Sequence, residues 1–360
     1  MHRSLFVLAA CALVAACGDS SRQSSTDTAA GSAPAATGGN SGAALTGAGA
    51  TFPYPLYSKW FGTYAAKTGV KINYQSIGSG GGIRQLSEQT VNFGASDAPM
   101  SDAELAKAKG GEVLHIPTAL GAVVLVYNVP GISGALKLNG DVIAAIYQGQ
   151  ITKWNDARIA SLNPGIKLPA SDILVVHRSD GSGTSYVFTD YLANVSPTWA
   201  TKPGKGKEVQ WPVGLGAKGN EGVAGQVKQT PGAIGYVELA YAKQNGMTTA
   251  SVRNANGEFV APSVEAVTAA AAGAASKLPP NTDYRVSIVN AAGTGVYPIS
   301  SFTWIILYAK QADSAKGKQL TDFLRWALSE EGQGMEAALD YAPLPEAMRT
   351  ALLSKLETIK

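Results

Sequence analysis

The sequence predicts an α/β fold. Apolar runs of strand length alternate along the chain with segments whose apolar residues recur at helical spacing. That alternation favours helices packed on mostly parallel sheets. Hydrophobic residues make up 45% and charged residues only 15%, a globular composition. The 360 residues exceed one ordinary core, so two domains or one large one are expected. A formal net charge of +3 is too mild to argue for nucleic acid, and no Lys/Arg cluster is interleaved with aromatics.

The elements follow in order. MHR is a short basic start and SLFVLAACALVAA an apolar run too short to span a bilayer, so residues 1–16 read as a secretory signal. Both cysteines, Cys11 and Cys17, lie here, and the body of the chain is expected to have neither disulfide nor thiol chemistry. VAAC at 14–17, followed by Gly18 and Asp19, resembles a bacterial lipoprotein signal with Cys17 as the lipidated residue. LAAC at 8–11 matches the usual box better in its first residue. A cut at Cys11, however, leaves almost no apolar run before it, so Cys17 is favoured. The plainer alternative is an ordinary cleaved signal near Ala16. A lipid would anchor the chain to a membrane without spanning it. Residues 17–44 are Ser, Thr, Ala and Gly with little to bury, a flexible tether.

KINYQSI (71–77) has the β-branched and aromatic content of a strand, SGGGIRQLSEQ (79–89) reads as a helix entered through glycines, and VNFGAS (91–96) as a short strand. SDAE (101–104) is a capping box, Ser101 at N-cap and Glu104 at N3. HIPTALGAVVLVYNV (115–129) is long enough for one or two buried strands. A helix over 141–151, a strand ILVV (173–176), a helix over 184–194, a strand AIGYVEL (233–239), an Ala-rich helix over 263–278 and a strand over 299–310 come next. Two amphipathic helical stretches close the chain. No repeat of 20–50 residues is visible.

Three strand-to-helix junctions share a composition: GAGATFP (47–53), GSGGG (78–82) with GASDAP (94–99) close behind, and RSDGSGTS (178–185). Each sets small and hydroxyl residues at a helix start, where orphan N–H groups and the positive end of the helix dipole attract anions. Glycines let the backbone approach a ligand closely. Read blandly, the three are turns and caps; if they converge, they could wrap a small tetrahedral anion. Arg178 is the cation best placed for it, since its planar fork suits an oxyanion. Asp180, two residues on, orients that arginine or caps the helix. Asp97 is a poor neighbour for an anion unless the ligand carries a proton. Phosphate does so near neutral pH and sulfate does not, and a site with an unpaired acceptor discriminates strongly between them.

Other chemistries lack parts. Only His2, His115 and His177 are available to a hydrolase, and GSG around Ser182 is not the G-x-S-x-G elbow. A Ser182–His177 pair is conceivable, although His177 reads more simply as a polar strand end. There is no G-x-x-x-x-G-K-[ST] loop. GLGAKG (214–219) fits G-x-G-x-x-G literally but follows WPV instead of a clear strand, and it is taken as a chance fit. No H-E-x-x-H, Cys pair or close His pair suggests a metal.

LTGAGATFPYPLYSKW, VNFGASDAP, HRSDGSGTSYVFTDYLA, WPVGLGAKGNEGVAG and PGAIGYVELAYAKQN strongly resemble the periplasmic phosphate-binding protein of bacterial ABC phosphate importers, in order, from about Leu45 to about Pro345. The resemblance implies a two-lobed periplasmic-binding-protein fold of type II, with mixed sheets, helices on both faces and a hinge. It implies lobe I over 45–118 and 299–360 and lobe II over 119–298. Phosphate would meet Thr51 and Phe52 through hydroxyl and backbone N–H, and Ser79. Asp97 would accept its proton, and Arg178, Ser182, Gly183 and Thr184 would donate, with Asp180 pairing to Arg178. The function implied is binding without catalysis or cofactor. The expected partners are an inner-membrane permease and its ATPase, for a periplasmic monomer anchored through Cys17. Relatives carry arginine where this chain has His177, so binding is expected to be more pH-sensitive here. A binding protein for sulfate or molybdate and a secreted phosphatase-like hydrolase are the rival readings. Asp97 opposes the first; the missing metal set and scarce histidine oppose the second.

Overall fold

The computed structural model describes residues 44–132, 134–273 and 283–360. The expected signal, Cys17, the tether up to residue 43 and positions 274–278 of the Ala-rich segment lie outside the described residues. No helix among the described residues is long and apolar enough to cross a membrane.

Twelve strands occur among the described residues: β1 (Leu45–Gly49), β2 (Ile72–Ser76), β3 (Phe93–Ser96), β4 (Val113–Tyr127), β5 (Lys137–Leu138), β6 (Leu174–Arg178), β7 (Leu215–Ala217), β8 (Ala233–Glu238), β9 (Thr248–Thr249), β10 (Ser251–Arg253), β11 (Phe259–Val260) and β12 (Ser300–Tyr308). The main sheet runs β2-β1-β3-β12-β4-β8-β6-β7, with β9 also on β4; β11-β10-β5 form a small second sheet.

The sheet is mixed, as the family resemblance implies; the mostly parallel sheets favoured by the alternation alone are corrected. Its wings are parallel: β1 with β2 and β3, and β6 with β7 and β8. These are the strands that hand on directly to helices, as strand–helix–strand connections require. Its middle is antiparallel, because β12 returns from the C-terminal part of the chain and runs against both β3 and β4. The long apolar run is one strand, β4. From Val113 to Ala122 it pairs with β12, and from Val123 to Tyr127 with β8. Every residue of β4 after Val113 is buried, which is why the run is apolar throughout.

One irregularity in β4 matters for the site. The register with β12 shifts between Thr303 and Trp304: Thr303 faces Ala119, and Trp304 faces Pro117. Thr118 is therefore the extra residue of a bulge. Pro117 has no N–H to give a regular ladder, and proline inside a sheet is found at such places.

Aromatic packing concentrates in two regions. Near β1–β3, Phe61 meets Phe323 (5.3 Å between centroids) and Tyr57 stacks on Trp60 (5.8 Å). Near β6–β8, Phe188 stacks on Tyr236 (4.3 Å) and meets the Tyr147 side as well, through a contact of 4.7 Å. Each such ring contributes roughly 1.5–3 kcal/mol by burial.

Candidate anion site

Among the helices that follow strands of the main sheet, four start close together: Tyr54–Thr68 after β1, Ser79–Ser87 after β2, Gly183–Val195 after β6 and Gly219–Gln229 after β7. Hydrogen bonds join all four starts to one another. The carboxyl end of an open α/β sheet, ringed by helix N-termini, is where ligands bind and where anions are favoured.

The side chains there are hydroxyls whose lone pairs are already occupied. Thr51 Oγ1 accepts from the Asn220 backbone N (3.2 Å) and from Asn220 Nδ2 (2.8 Å). Thr184 Oγ1 accepts from Asn220 Nδ2 (3.0 Å) and Arg178 Nη1 (3.3 Å). Ser79 Oγ accepts from the backbone N of Gly183 (3.0 Å) and of Asp97 (3.2 Å). Ser182, the N-cap of its helix, accepts from Ser185 N (3.0 Å). A hydroxyl has one proton and two lone pairs. Where N–H groups occupy the lone pairs, the proton is what the hydroxyl has left to offer, and it suits an acceptor. All four are buried. Gly183, expected as a donor in its own right, spends its N–H on Ser79.

Arg178, also buried, ends β6. Its Nε and Nη2 grip Asp180 Oδ1 and Oδ2 at 2.8 and 2.5 Å. Asp180 Oδ1 takes a second bond from Gly219 N (3.1 Å), so the carboxylate is itself held by a helix start. Burial pushes the Asp180 carboxyl up, but the bonds and charge of Arg178 outweigh it, and the group lies below the ordinary carboxylate range. The Arg178 backbone N donates to the Tyr236 hydroxyl (3.1 Å), which also meets Ser185 Oγ (2.6 Å).

Asp97 follows β3 and is 1% exposed. Burial raises its pKa to about 7, against the pull of a bond from Thr303 Oγ1 to Oδ1 (2.8 Å) and of the Arg178 charge. The segment at Thr51 and Phe52 is pegged by two tyrosines: Tyr241 donates to the Thr51 carbonyl and Tyr341 to the Phe52 carbonyl, both at 2.6 Å. The Tyr341 hydroxyl, its one proton spent on Phe52, also meets Glu238 Oε2 (3.1 Å), and the buried Glu238 carboxyl is pushed well above its usual range by desolvation, so it can carry the proton of that contact.

The three glycine-hydroxyl junctions and Asp97 thus meet in one place. His177 does not join them. Neighbours on a strand point to opposite faces, and its ring stacks on Trp211 (4.8 Å, 11°) while Arg178 turns to the site. Burial lowers its pKa. His115 is buried too, with its Nε2 accepting from Met100 N (3.1 Å). Among the described residues no group of three or more His, Cys, Asp or Glu could hold a metal.

Two residues escaped the sequence reading. Asn220 opens the helix after GLGAKG; its amide joins Thr51 to Thr184, and its Oδ1 accepts from Glu238 N (2.9 Å). The signal was a glycine and an amide at a helix start, directly after a motif whose fit was taken as chance. Thr303 sits in mid-strand on β12, with no local signature at all.

Comparison with known proteins follows the same lines. Residues 25–331 match the model of a PBP superfamily domain. The chain is 49% identical to the phosphate-binding protein PstS of Xylella fastidiosa over 302 residues, 84% of this chain and 81% of that one. It is 46% identical to the PstS of Pasteurella multocida over 315 residues, 87% and 90% of the two chains. Among solved structures, a phosphate-binding protein from Stenotrophomonas maltophilia superposes with a TM-score of 0.69 at 22% identity, covering 87% of this chain and 94% of that one. A high-affinity periplasmic phosphate-binding protein solved with phosphate at pH 8.5 gives 0.68 at 24%, covering 87% and 93%. These likenesses bear out the two-lobed α/β fold expected from the sequence.

Proposed function

We propose, for a chain that belongs to the PstS phosphate-binding proteins of the PBP superfamily, a receptor that binds inorganic phosphate and delivers it to the permease of an ABC importer. The observation that carries this reading is the donor array. The hydroxyls of Thr51, Ser79, Ser182 and Thr184, with the guanidinium of Arg178, offer protons, and Asp97 offers an acceptor. That combination suits an oxyanion that still carries one proton of its own. Phosphate near neutral pH has one P–OH for Asp97 and several bare oxygens for the donors. Sulfate would leave the ionised Asp97 facing lone pairs.

Phosphate is held by Thr51, the backbone N–H of Phe52, Ser79, Asp97, Arg178, Ser182 and Thr184. Gly183 acts through Ser79, and Asp180 fixes Arg178. Residues 45–118 and 299–360 form one lobe and 119–298 the other. The change of partner along β4 at Ala122/Val123 supports a hinge close to that division. An open cleft admits the ion, and closing replaces its water with fixed donors. The arrangement holds the ion without transforming it, and no cofactor is needed. The receptor works in the periplasm as a monomer, tethered through a lipid on Cys17 and docking on a membrane permease with its ATPase.

Calorimetric titration of the purified protein with phosphate and with sulfate at about pH 8, where Asp97 is ionised and phosphate still carries one proton, tests the reading. Phosphate is expected to bind, with sulfate silent and unable to compete. Comparable sulfate binding would overturn it.

A further inference from the structure

Discrimination by Asp97 requires more than a carboxylate in the right place. One oxygen must face the ion as an acceptor, and the group must stay ionised although buried. A protonated Asp97 is a donor and would accommodate sulfate.

The two oxygens of Asp97 have different surroundings. Oδ1 accepts from Thr303 Oγ1 at 2.8 Å. Oδ2 faces the start of the Gly183–Val195 helix: a Cβ built on Gly183 would lie 2.5 Å from Oδ2 and 2.5 Å from Ser79 Oγ. The other titratable and charged groups that act on Asp97, or on which Asp97 acts, are Arg178, Glu238, Tyr57, Tyr74, Tyr241 and Tyr341. Thr303 is the direct hydrogen-bond donor to Oδ1, and the Ser79 hydroxyl adds a weaker pull that also favours the ionised carboxyl.

Thr303 is held in turn. Thr118 Oγ1 donates to the Thr303 carbonyl (3.2 Å). Having spent its proton there, Thr118 must accept in its 2.7 Å bond with the Tyr57 hydroxyl, so Tyr57 is the donor. Thr118 is the extra residue of the β4 bulge beside Pro117. Bulges re-aim side chains next to sites, and this one aims Thr118 at the strand that carries Thr303. The order Tyr57 to Thr118 to the Thr303 backbone fixes the place from which the Thr303 hydroxyl reaches Asp97.

We propose that Thr303 is a specificity-determining positioning residue: its hydroxyl occupies Oδ1, so that Asp97 presents Oδ2 to the ion as an acceptor. A hydroxyl donating to a carboxylate makes a charge-assisted bond that favours the ionised form. Removing it leaves burial less opposed, and Asp97 then holds a proton to higher pH. The proposal rests on the reading of Asp97 as the filter against sulfate.

The test is competition of sulfate against phosphate from about pH 5 to about pH 8 for wild type, Thr303→Val, Thr303→Ser and Asp97→Asn. For Thr303→Val we expect sulfate to compete up to about tenfold better at about pH 8, where the wild-type Asp97 is ionised, and the onset of competition to move to higher pH. Thr303→Ser should follow the wild type, and Asp97→Asn should admit sulfate throughout. If Thr303→Val matches wild type while Asp97→Asn admits sulfate, the role of Thr303 is overturned and the filter stands. If Asp97→Asn still rejects sulfate, the filter reading falls and Thr303 with it. A serine variant as permissive as valine would reduce the effect to packing and overturn the proposal. Should the valine variant fail to fold, Thr303→Ala carries the same expectations.

Discussion

Gly183 sits where a side chain has no room. A Cβ there would overlap Asp97 Oδ2 and Ser79 Oγ, and it would lie 2.7 Å from Asp97 Cβ, which cannot swing away. Yet Gly183 is the first residue of a helix, where alanine is otherwise welcome. Gly183→Ala is therefore expected to raise the phosphate dissociation constant on the order of a hundredfold. The same overlap with buried atoms should lower the melting temperature as well, and calorimetry with a thermal scan reads both. His177 poses a different question on the same strand. Its pKa is lowered by burial against Trp211 and the sheet, so it stays neutral at and above neutral pH and gains charge only in acid. An arginine there carries its charge at every pH and can keep the stack on Trp211. His177→Arg should bind phosphate a few-fold more tightly above about pH 7, with the advantage shrinking as the wild-type histidine protonates. Phosphate titrations across that range would show it; a constant ratio down to about pH 5 would mean that His177 does not titrate in the window.

At the scale of the element, the site is a set of helix starts cross-braced by one amide. Asn220 holds Thr51 and Thr184 with the two protons of Nδ2 and receives Glu238 N on Oδ1. Asn220→Ala leaves a buried N–H unpaired and frees two hydroxyls to turn. A cost of about 1–3 kcal/mol is expected, seen as a dissociation constant raised at least about tenfold. Asn220→Ser, too short to reach both threonines, should recover little of it. These braces explain what could be read in advance. The junctions at 47–53, 78–82 and 178–185 were legible because their chemistry is local: glycine for close approach, hydroxyls at a helix start, an arginine at a strand end. Asp97 was legible because a carboxylate among anion-binding loops is out of place. Asn220 was obscured by a chance fit to another motif. Thr303 was invisible because its partner lies 206 residues away and meets it only through the pairing of β12 with β3. The parallel wings followed from strands alternating with helices. The antiparallel middle did not, since strand order depends on where the chain returns.

Across the whole molecule, the contacts joining residues 45–118 to residues 119–298 extend beyond the hydroxyl cluster. Gly80 N donates to the Gly181 carbonyl (2.8 Å), and Lys207 Nζ meets Glu104 Oε2 (2.8 Å). Lys207 also ties back to the site, because its carbonyl accepts from Ser182 N (3.0 Å). Glu104 has a second duty as the N3 residue of the Ser101 capping box, with Oε2 accepting from Ser101 N (2.9 Å). Both partners of the ion pair are partly exposed, 18% for Lys207 and 27% for Glu104, so the pair lies near the surface value of about 0.2–1 kcal/mol. Glutamine serves at N3 as glutamate does, which allows the charge to be removed with the cap left in place. If closing the lobes traps phosphate, Glu104→Gln should speed its release by up to about fivefold with little change in the rate of capture, because the pair forms only on closing. The difference from wild type should fade as salt rises and screens the pair. Stopped-flow release at low and high ionic strength measures both. An effect of equal size in high salt would show that the amide disturbs the capping box instead, and that Glu104 and Lys207 do not help hold the cleft shut.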